Sequence, residues 1–288
     1  MNRCQLQAEH FDLEATMTCG QTFAWHRIDG DLYGEGRSEF YTFRNGKPLI
    51  VREKEGKELE IETDLPLEEA KIALGIEKNL EDVFESMPVD ERLEAAMEEY
   101  WGLRVLQDEF LPCLVSYICS SQMRIERIKK MHDSIAERYG ETVEYNGREL
   151  LKFPDREQLA QIEEEELRDM GLGYRAEYVA KTAEILQDFD EEEIKEMEYE
   201  EAREKLKELH GVGNKVAECV MLFSLGFHEA VPLDTWGKKI LKTHYPDIHH
   251  SRYEKASENV REHFGENAGY AQEYLFHAAR NGVIEVEE

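Results

Sequence analysis

The chain has 288 residues, of which 41% are hydrophobic. That is enough for one large core or two modest ones. Its 35 basic residues are outnumbered by 64 acidic ones, a formal net charge of -29, so it lacks the basic excess that carries most nucleic-acid affinity through phosphate neutralisation. An acidic excess of this size also suits a cytoplasm at very high salt, where the Debye length falls to about 3 Å at 1 M and steering by surface charge is lost.

The opening MNRCQLQAEHFDLEA has no basic start leading into an apolar run, so no signal peptide is expected. No apolar run approaches the ~20 residues that span a bilayer. A cytoplasmic location is expected. Cys4, Cys19, Cys113, Cys119 and Cys219 are scattered, without a CxxC pair. They are expected to be reduced, most of them buried, rather than to form disulfides, a zinc site or an iron–sulfur cluster.

In chain order, QTFAWHRI, LYGEGR, EFYTFRN, KPLIVRE and KELEIET are short, aromatic or β-branched, and roughly alternating, which predicts strands. Asp29-Gly30 and Asn45-Gly46 fall between them and suit tight hairpin turns. A helix or two follows over 66–86, and Met87-Pro88 closes the segment. From Asp90 the hydrophobic period becomes helical. Asp90 can cap a helix bearing Leu93, Met97, Tyr100 and Trp101. Pro112 fits a first helical turn ahead of LVSYICSS, and Ile125, Ile128, Met131 and Ile135 line one face of the next helix. Amphipathic stretches continue over about 156–170, 174–189, 198–209, 214–225, 234–243, 252–264 and 268–280. Glutamate runs such as DEEEIKEMEYEEAREK read as solvated helix faces. The fold expected is α+β: a small antiparallel sheet domain over residues 1–88, packed on a larger all-helical domain over 89–288.

Between two of these helices lies LHGVGNKVAEC. Gly211, Val212 and Gly213 predict a turn that uses glycine conformations, with Val212 plugging the core and amides pointing outward. Beside a helix N-terminus, such amides hold a phosphate without lysine or arginine. Lys215 follows in the first helical turn, where the dipole disfavours a cation and apolar neighbours desolvate it. A lowered pKa and a nucleophilic neutral amine are expected there. Nineteen residues on, VPLDTW places Asp234 as an N-cap that can also shuttle protons and stabilise a cationic sugar.

GVGNKVAEC and AVPLDTW together resemble the helix-hairpin-helix DNA glycosylases. CGQTFAW, YWGLRVLQDEFLPCLVSYICSSQ, MGLGYRAEYV and AGYAQEYLF, in the same order, narrow the resemblance to 8-oxoguanine DNA glycosylase/AP lyases of the eukaryotic type, over nearly the whole chain. The resemblance implies a bifunctional enzyme acting on duplex DNA that carries 8-oxoguanine opposite cytosine, working as a monomer. It implies no required cofactor and no iron–sulfur cluster, with room for a monovalent cation at the hairpin. Lys215 would attack the sugar C1′ of a flipped nucleotide, and Asp234 would assist it. Gly20 would offer a carbonyl to the N7–H that distinguishes 8-oxoguanine from guanine. Cys219 and Phe276 would sandwich the base, and Gln272 would read its Watson–Crick edge.

By the same resemblance, Gln122, Arg127, Tyr174 and Arg175 would fill the vacated stack or contact the estranged cytosine. Gly211, Val212 and Gly213 would hold the backbone. Two departures stand out: Gln122-Met123-Arg124 replaces the family's run of asparagines, and Trp236 stands where the family has a histidine. A glycosylase for another damaged or methylated base, or a non-catalytic DNA binder, are the alternative readings.

Overall fold

The computed structural model describes residues 2–6, 10–54 and 58–286. Five strands, β1 (Asn2–Leu6), β2 (His26–Arg27), β3 (Glu39–Arg44), β4 (Lys47–Glu53) and β5 (Leu59–Thr63), form one antiparallel sheet in the order β1-β5-β4-β3-β2. Asn45 and Gly46 turn β3 into β4 with φ of 50° and 69°. This is the pair of left-handed residues a two-residue hairpin requires, and it aligns Arg44 with Lys47 and Phe40 with Val51.

Two strand expectations are corrected, and one strand was not expected. Within QTFAWHRI only His26 and Arg27 pair. Gln21 instead fastens this segment to a neighbouring stretch of chain, accepting from the Leu106 amide (2.8 Å) and donating to the Arg104 carbonyl (2.7 Å). LYGEGR is a loop, because it wraps the buried Arg27, whose guanidinium donates to the carbonyls of Asp31, Leu32 and Arg37. Alternation in the sequence does not reveal a cation inside the loop. Asn2–Leu6, which was not among the expected strands, adds an edge strand beside β5. Lys57, the first residue of the expected strand KELEIET, lies outside the described residues.

Helix α1 (Leu13–Thr18) precedes β2, and α2 (Leu67–Ala73) and α3 (Leu80–Glu85) follow the sheet. Next come α4 (Glu91–Tyr100), α5 (Phe110–Cys119) and α6 (Ile125–Tyr139). Asp90 caps α4 as expected, accepting from the Arg92 and Leu93 amides. A hairpin of β6 (Glu141–Tyr145) and β7 (Arg148–Lys152) was not expected. Asn146 and Gly147 turn it with φ of 47° and 76°, and Tyr145 and Leu150 pack on Tyr41 and Ile50 of the sheet.

Among the described residues, nine further α-helices follow: α7 (Arg156–Ala160), α8 (Glu164–Leu167), α9 (Arg175–Ile185), α10 (Glu191–Lys195), α11 (Tyr199–Leu206), α12 (Asn214–Phe223), α13 (Thr235–His244), α14 (Tyr253–Phe264) and α15 (Ala268–Arg280). A single π-type turn, Arg168–Leu172, lies between α8 and α9. Helix α12 packs on α5 and α11, while α15 packs on α4 and α13.

The two cores interlock rather than stack. Leu80, Val83 and Phe84 of α3 join the helical core, and Leu106 joins the core under the sheet. Cys19, Cys113, Cys119 and Cys219 are buried free thiols. Among the described residues, no helix is long and apolar enough to cross a membrane.

Candidate active site

The turn between α11 and α12 is built as the two glycines predict, but only one of them requires glycine. Gly211 has φ +79°, and a Cβ there would lie 2.8 Å from the Tyr178 side chain. Gly213 is extended (φ -97°, ψ -176°), and a Cβ on it would meet nothing within 4 Å. The expectation of glycine conformations throughout the turn is corrected on this point: Gly213 leaves open space rather than adopting a left-handed conformation. Val212 is buried, as expected. Helix α12 has no side-chain cap, so its first-turn N–H groups, unpaired within any helix, remain for a ligand. Below the turn, the fully buried Glu218 accepts from Tyr199 and Ser257 (both 2.8 Å) and from Tyr253 (2.6 Å), and pairs with Arg203. These bonds tie α11, α12 and α14 into one support. Burial pushes the Glu218 carboxyl up, against those bonds.

In front of the hairpin opens a cleft of about 830 Å³ whose lining includes Lys215, Asp234, Gly20, Cys219, Gln272 and Phe276. Six residues from four separated parts of the sequence thus share one concavity. The Lys215 amine donates to the Ser120 hydroxyl (3.0 Å) and stands 5.1 Å over the Tyr117 ring. Tyr117 is itself fixed, its hydroxyl donating to the Gln21 carbonyl at 2.6 Å and its ring stacked on Phe223. Asp234 caps α13, its Oδ1 accepting from the Gly237 amide at 2.8 Å. Burial pushes the Cys219 thiol up to about 12, with Lys215 opposing and Asp234 adding to the shift. It is therefore a neutral, polarizable wall rather than a thiolate.

Gly20, also in the cleft lining, has φ +108°, and a Cβ there would collide with Ile125 at 2.5 Å. Its neighbour Cys19 accepts through its carbonyl from Arg280 (2.6 Å), whose guanidinium lies 5.5 Å from the Phe276 ring centroid. Arg280 was not singled out from the sequence. Its spacing of four from Phe276 was the available signal. Glu273, also unanticipated, lines the same cleft.

Of the stack-filling candidates, Gln122 lines the cleft and holds φ +54°, a strained conformation for a side chain with a Cβ. The exposed Met123 stands beside it. Tyr174 is 48% exposed and packs edge-on against Tyr178. Arg127 donates to the Gly171 carbonyl at 3.2 Å. Arg175 is 3% exposed and donates to the carbonyls of Ser121 and Leu172. It braces the turn that carries Gln122, and neither Arg127 nor Arg175 lines the cleft.

His26, His132 and Asp133 bring ligand atoms within 4.8 Å of one another, and none of the three lines the cleft. The Lys129 amine lies among them, 3.2 Å from His26 Nδ1 and ion-paired to Asp133. An ammonium already holds the place a cation would take.

Residues 115–266 match the model of the HhH-GPD superfamily of base excision DNA repair proteins, and residues 3–114 match the N-terminal domain of 8-oxoguanine DNA glycosylase. A probable N-glycosylase/DNA lyase of Methanothermobacter thermautotrophicus is 29% identical over 96% of both chains. The Arabidopsis thaliana N-glycosylase/DNA lyase is 36% identical over 61% of this chain and 51% of its own. The 8-oxoguanine glycosylase/lyase of Clostridium acetobutylicum, solved with double-stranded DNA containing cytosine opposite 8-oxoguanine, superposes with a TM-score of 0.83. It is 29% identical, over 99% of both chains. The chain belongs to the HhH-GPD superfamily of base excision DNA repair proteins, of the 8-oxoguanine glycosylase type.

Proposed function

We propose that this protein excises 8-oxoguanine from duplex DNA through a Schiff base on Lys215 and then nicks the strand by β-elimination. The observation that carries the reading is the convergence of Lys215 and Asp234 with Gly20, Cys219, Gln272 and Phe276 in one cleft, in front of an uncapped helix N-terminus.

A base inside a duplex is out of reach, so the nucleotide must be flipped into the cleft. The base stacks between Phe276 and Cys219, and the Gly20 carbonyl accepts the N7–H of 8-oxoguanine. Normal guanine presents an acceptor at N7 and would leave two acceptors facing each other in a buried site, which costs more than a change of shape.

The Lys215 amine forms a bond to C1′ as the C1′–N9 bond breaks, and the base leaves with the electron pair. Opening of the sugar ring and loss of the second amine proton give the Schiff base. Loss of a C2′ proton then expels the 3′ phosphate. Asp234 stabilises the cationic sugar and takes part in these proton movements. An amine and a carboxylate supply every step, so the proposal includes no metal or iron–sulfur chemistry. A monovalent cation between the hairpin and a phosphate is compatible with it.

The hairpin amides of α12 take the DNA backbone, which reconciles DNA binding with a net charge of -29. We place the protein with the chromosome in a prokaryotic cytoplasm. Incubation with an 8-oxoguanine:cytosine duplex, followed by separate assays for released base and for cut strand, tests the reading. Both products are expected from the lesion duplex and neither from its guanine counterpart. Excision of only alkylated bases would overturn it.

A further inference from the structure

Gly20 lines the cleft, and among the described residues no group donates to its carbonyl. Its φ of +108° lies in a region that glycine samples freely, so the local chain does not aim that carbonyl. Reading a single hydrogen on a base nevertheless requires an acceptor that is held in place beforehand. The neighbours on either side have to hold it.

Downstream, Gln21 is buried, and its carboxamide donates to the Thr16 and Arg104 carbonyls and accepts from the Leu106 amide. Its own carbonyl accepts from the Tyr117 hydroxyl at 2.6 Å. Upstream, Cys19 follows the last residue of α1, and its amide donates to the Ala15 carbonyl. The Cys19 carbonyl lies beyond the helix and has no partner within it. Arg280 supplies one at 2.6 Å, from 261 positions away in the chain. The Cys19 carbonyl and the Gly20 N–H share one rigid peptide plane, so this bond fixes the approach to Gly20.

The same guanidinium packs on Gly20 itself, since a Cβ there would lie 2.9 Å from Arg280 Nη1. Its central carbon is 5.5 Å from the centroid of the Phe276 ring. Arginine suits both contacts, with several donors on one planar group that also faces aromatic rings. Arg280 does not line the cleft. It stands behind the acceptor and beside the stacking ring, and touches no base.

We propose that Arg280 is a positioning residue for lesion recognition: it holds the Cys19–Gly20 peptide so that the Gly20 carbonyl meets N7–H of a base stacked on Phe276. This rests on the reading of Gly20 as the N7 acceptor. Without the bond, the peptide before Gly20 can turn about a permissive residue and the carbonyl loses its fixed direction. Guanine and 8-oxoguanine differ at that nitrogen, an acceptor in one and a donor in the other. Loss of Arg280 therefore costs discrimination between the two bases rather than affinity for DNA.

Two measurements test this on the full chain, with Arg280→Leu and Arg280→Lys. Arg280 is exposed in the last turn of α15, so leucine there leaves the helix standing, and lysine keeps a donor and the charge. Cys19-Gly20 is the one Cys-Gly step in the sequence. Carbonyl-13C cysteine with 15N glycine thus gives a single carbonyl–amide NMR peak for this peptide. The peak should shift and broaden in Arg280→Leu and stay near its wild-type position in Arg280→Lys. Affinities are then compared in Lys215→Gln protein, for duplexes carrying 8-oxoguanine, guanine or a tetrahydrofuran abasic site. Preference for 8-oxoguanine over guanine should fall about tenfold with Arg280→Leu, the scale of one lost hydrogen bond, and be largely kept with Arg280→Lys. Affinity for the abasic duplex should not change. An unmoved peak, or an intact preference in Arg280→Leu, would overturn the inference. So would an equal loss on all three duplexes with a salt slope shallower by about 0.9, which marks a phosphate contact. If Lys215→Gln protein with Arg280 in place shows no preference for 8-oxoguanine, the proposed function fails, and this inference with it.

Discussion

The Lys215 amine is held 3.0 Å from the Ser120 hydroxyl, across 95 positions of sequence. Ser120 donates onward to the Tyr117 carbonyl at 2.7 Å, so its oxygen is oriented to accept from the amine. The nucleophile is thus aimed by a helix end that also supplies the aromatic floor beneath it, Tyr117. Preorganisation of this kind removes orientational freedom before the substrate arrives.

Asp234 carries two roles that one substitution separates. Asparagine also caps helices well, so Asp234→Asn should leave the melting temperature nearly unchanged. Base excision should nevertheless slow by roughly 10²-fold or more, in the range of lost acid–base or electrostatic assistance. Unchanged excision, measured by single-turnover kinetics, would reduce Asp234 to its bond with the Gly237 amide.

Phe276 should contribute stacking to the lesion alone. Phe276→Ala is expected to weaken binding of lesion duplex by about 1–3 kcal/mol, with little effect on undamaged duplex. Equal losses on both, by fluorescence titration, would mean that the ring only packs the pocket wall.

The hairpin glycines should respond differently. Gly211→Ala forces a left-handed alanine against Tyr178 and should destabilise the fold by about 1–2 kcal/mol or more. Gly213→Ala meets nothing in the free protein, so its melting temperature should hold while its affinity for DNA falls, because the added methyl occupies the space a phosphate enters. The wild-type slope of log affinity against log salt should be shallow, on the order of -1 to -4. A steep slope would mean that basic side chains carry the contact.

Asp108 provides a pH test of stability. Burial pushes its carboxyl up to about 7 against the bond from Thr22, so the fold favours the protonated form. That contribution is complete below the unfolded carboxyl pKa near 4 and is lost as pH rises through about 7. Asp108→Asn should therefore gain on wild type between pH 4 and 7, by something on the order of 1–3 kcal/mol, in urea melts across that range. A constant difference would contradict the assignment.

Much of the helical part was legible because burial there follows one face: Ile128, Met131 and Ile135 are buried along α6 as their spacing predicts. The pair Gln272 and Phe276 likewise share one face and reach the cleft. Glu273 was not legible, since a glutamate beside a pocket residue looks like any solvated helix position. Arg175 shows the reverse case: a contact with DNA was expected of it, and the structure uses its donors inside, on Ser121 and Leu172. The β6–β7 hairpin did carry its signal, Asn146-Gly147 between alternating residues, and was hidden by the helices on either side.

The central claim is that Lys215 forms a covalent bond to the sugar. Its most direct test is borohydride trapping on an 8-oxoguanine:cytosine duplex, with wild type and Lys215→Gln compared on a denaturing gel and the adduct mapped by peptide mass. The account predicts one trapped species in wild type, carried on Lys215, and none in Lys215→Gln, which should still bind the lesion duplex. An undiminished adduct in that variant, or one mapped to another amine such as Lys238, would contradict it.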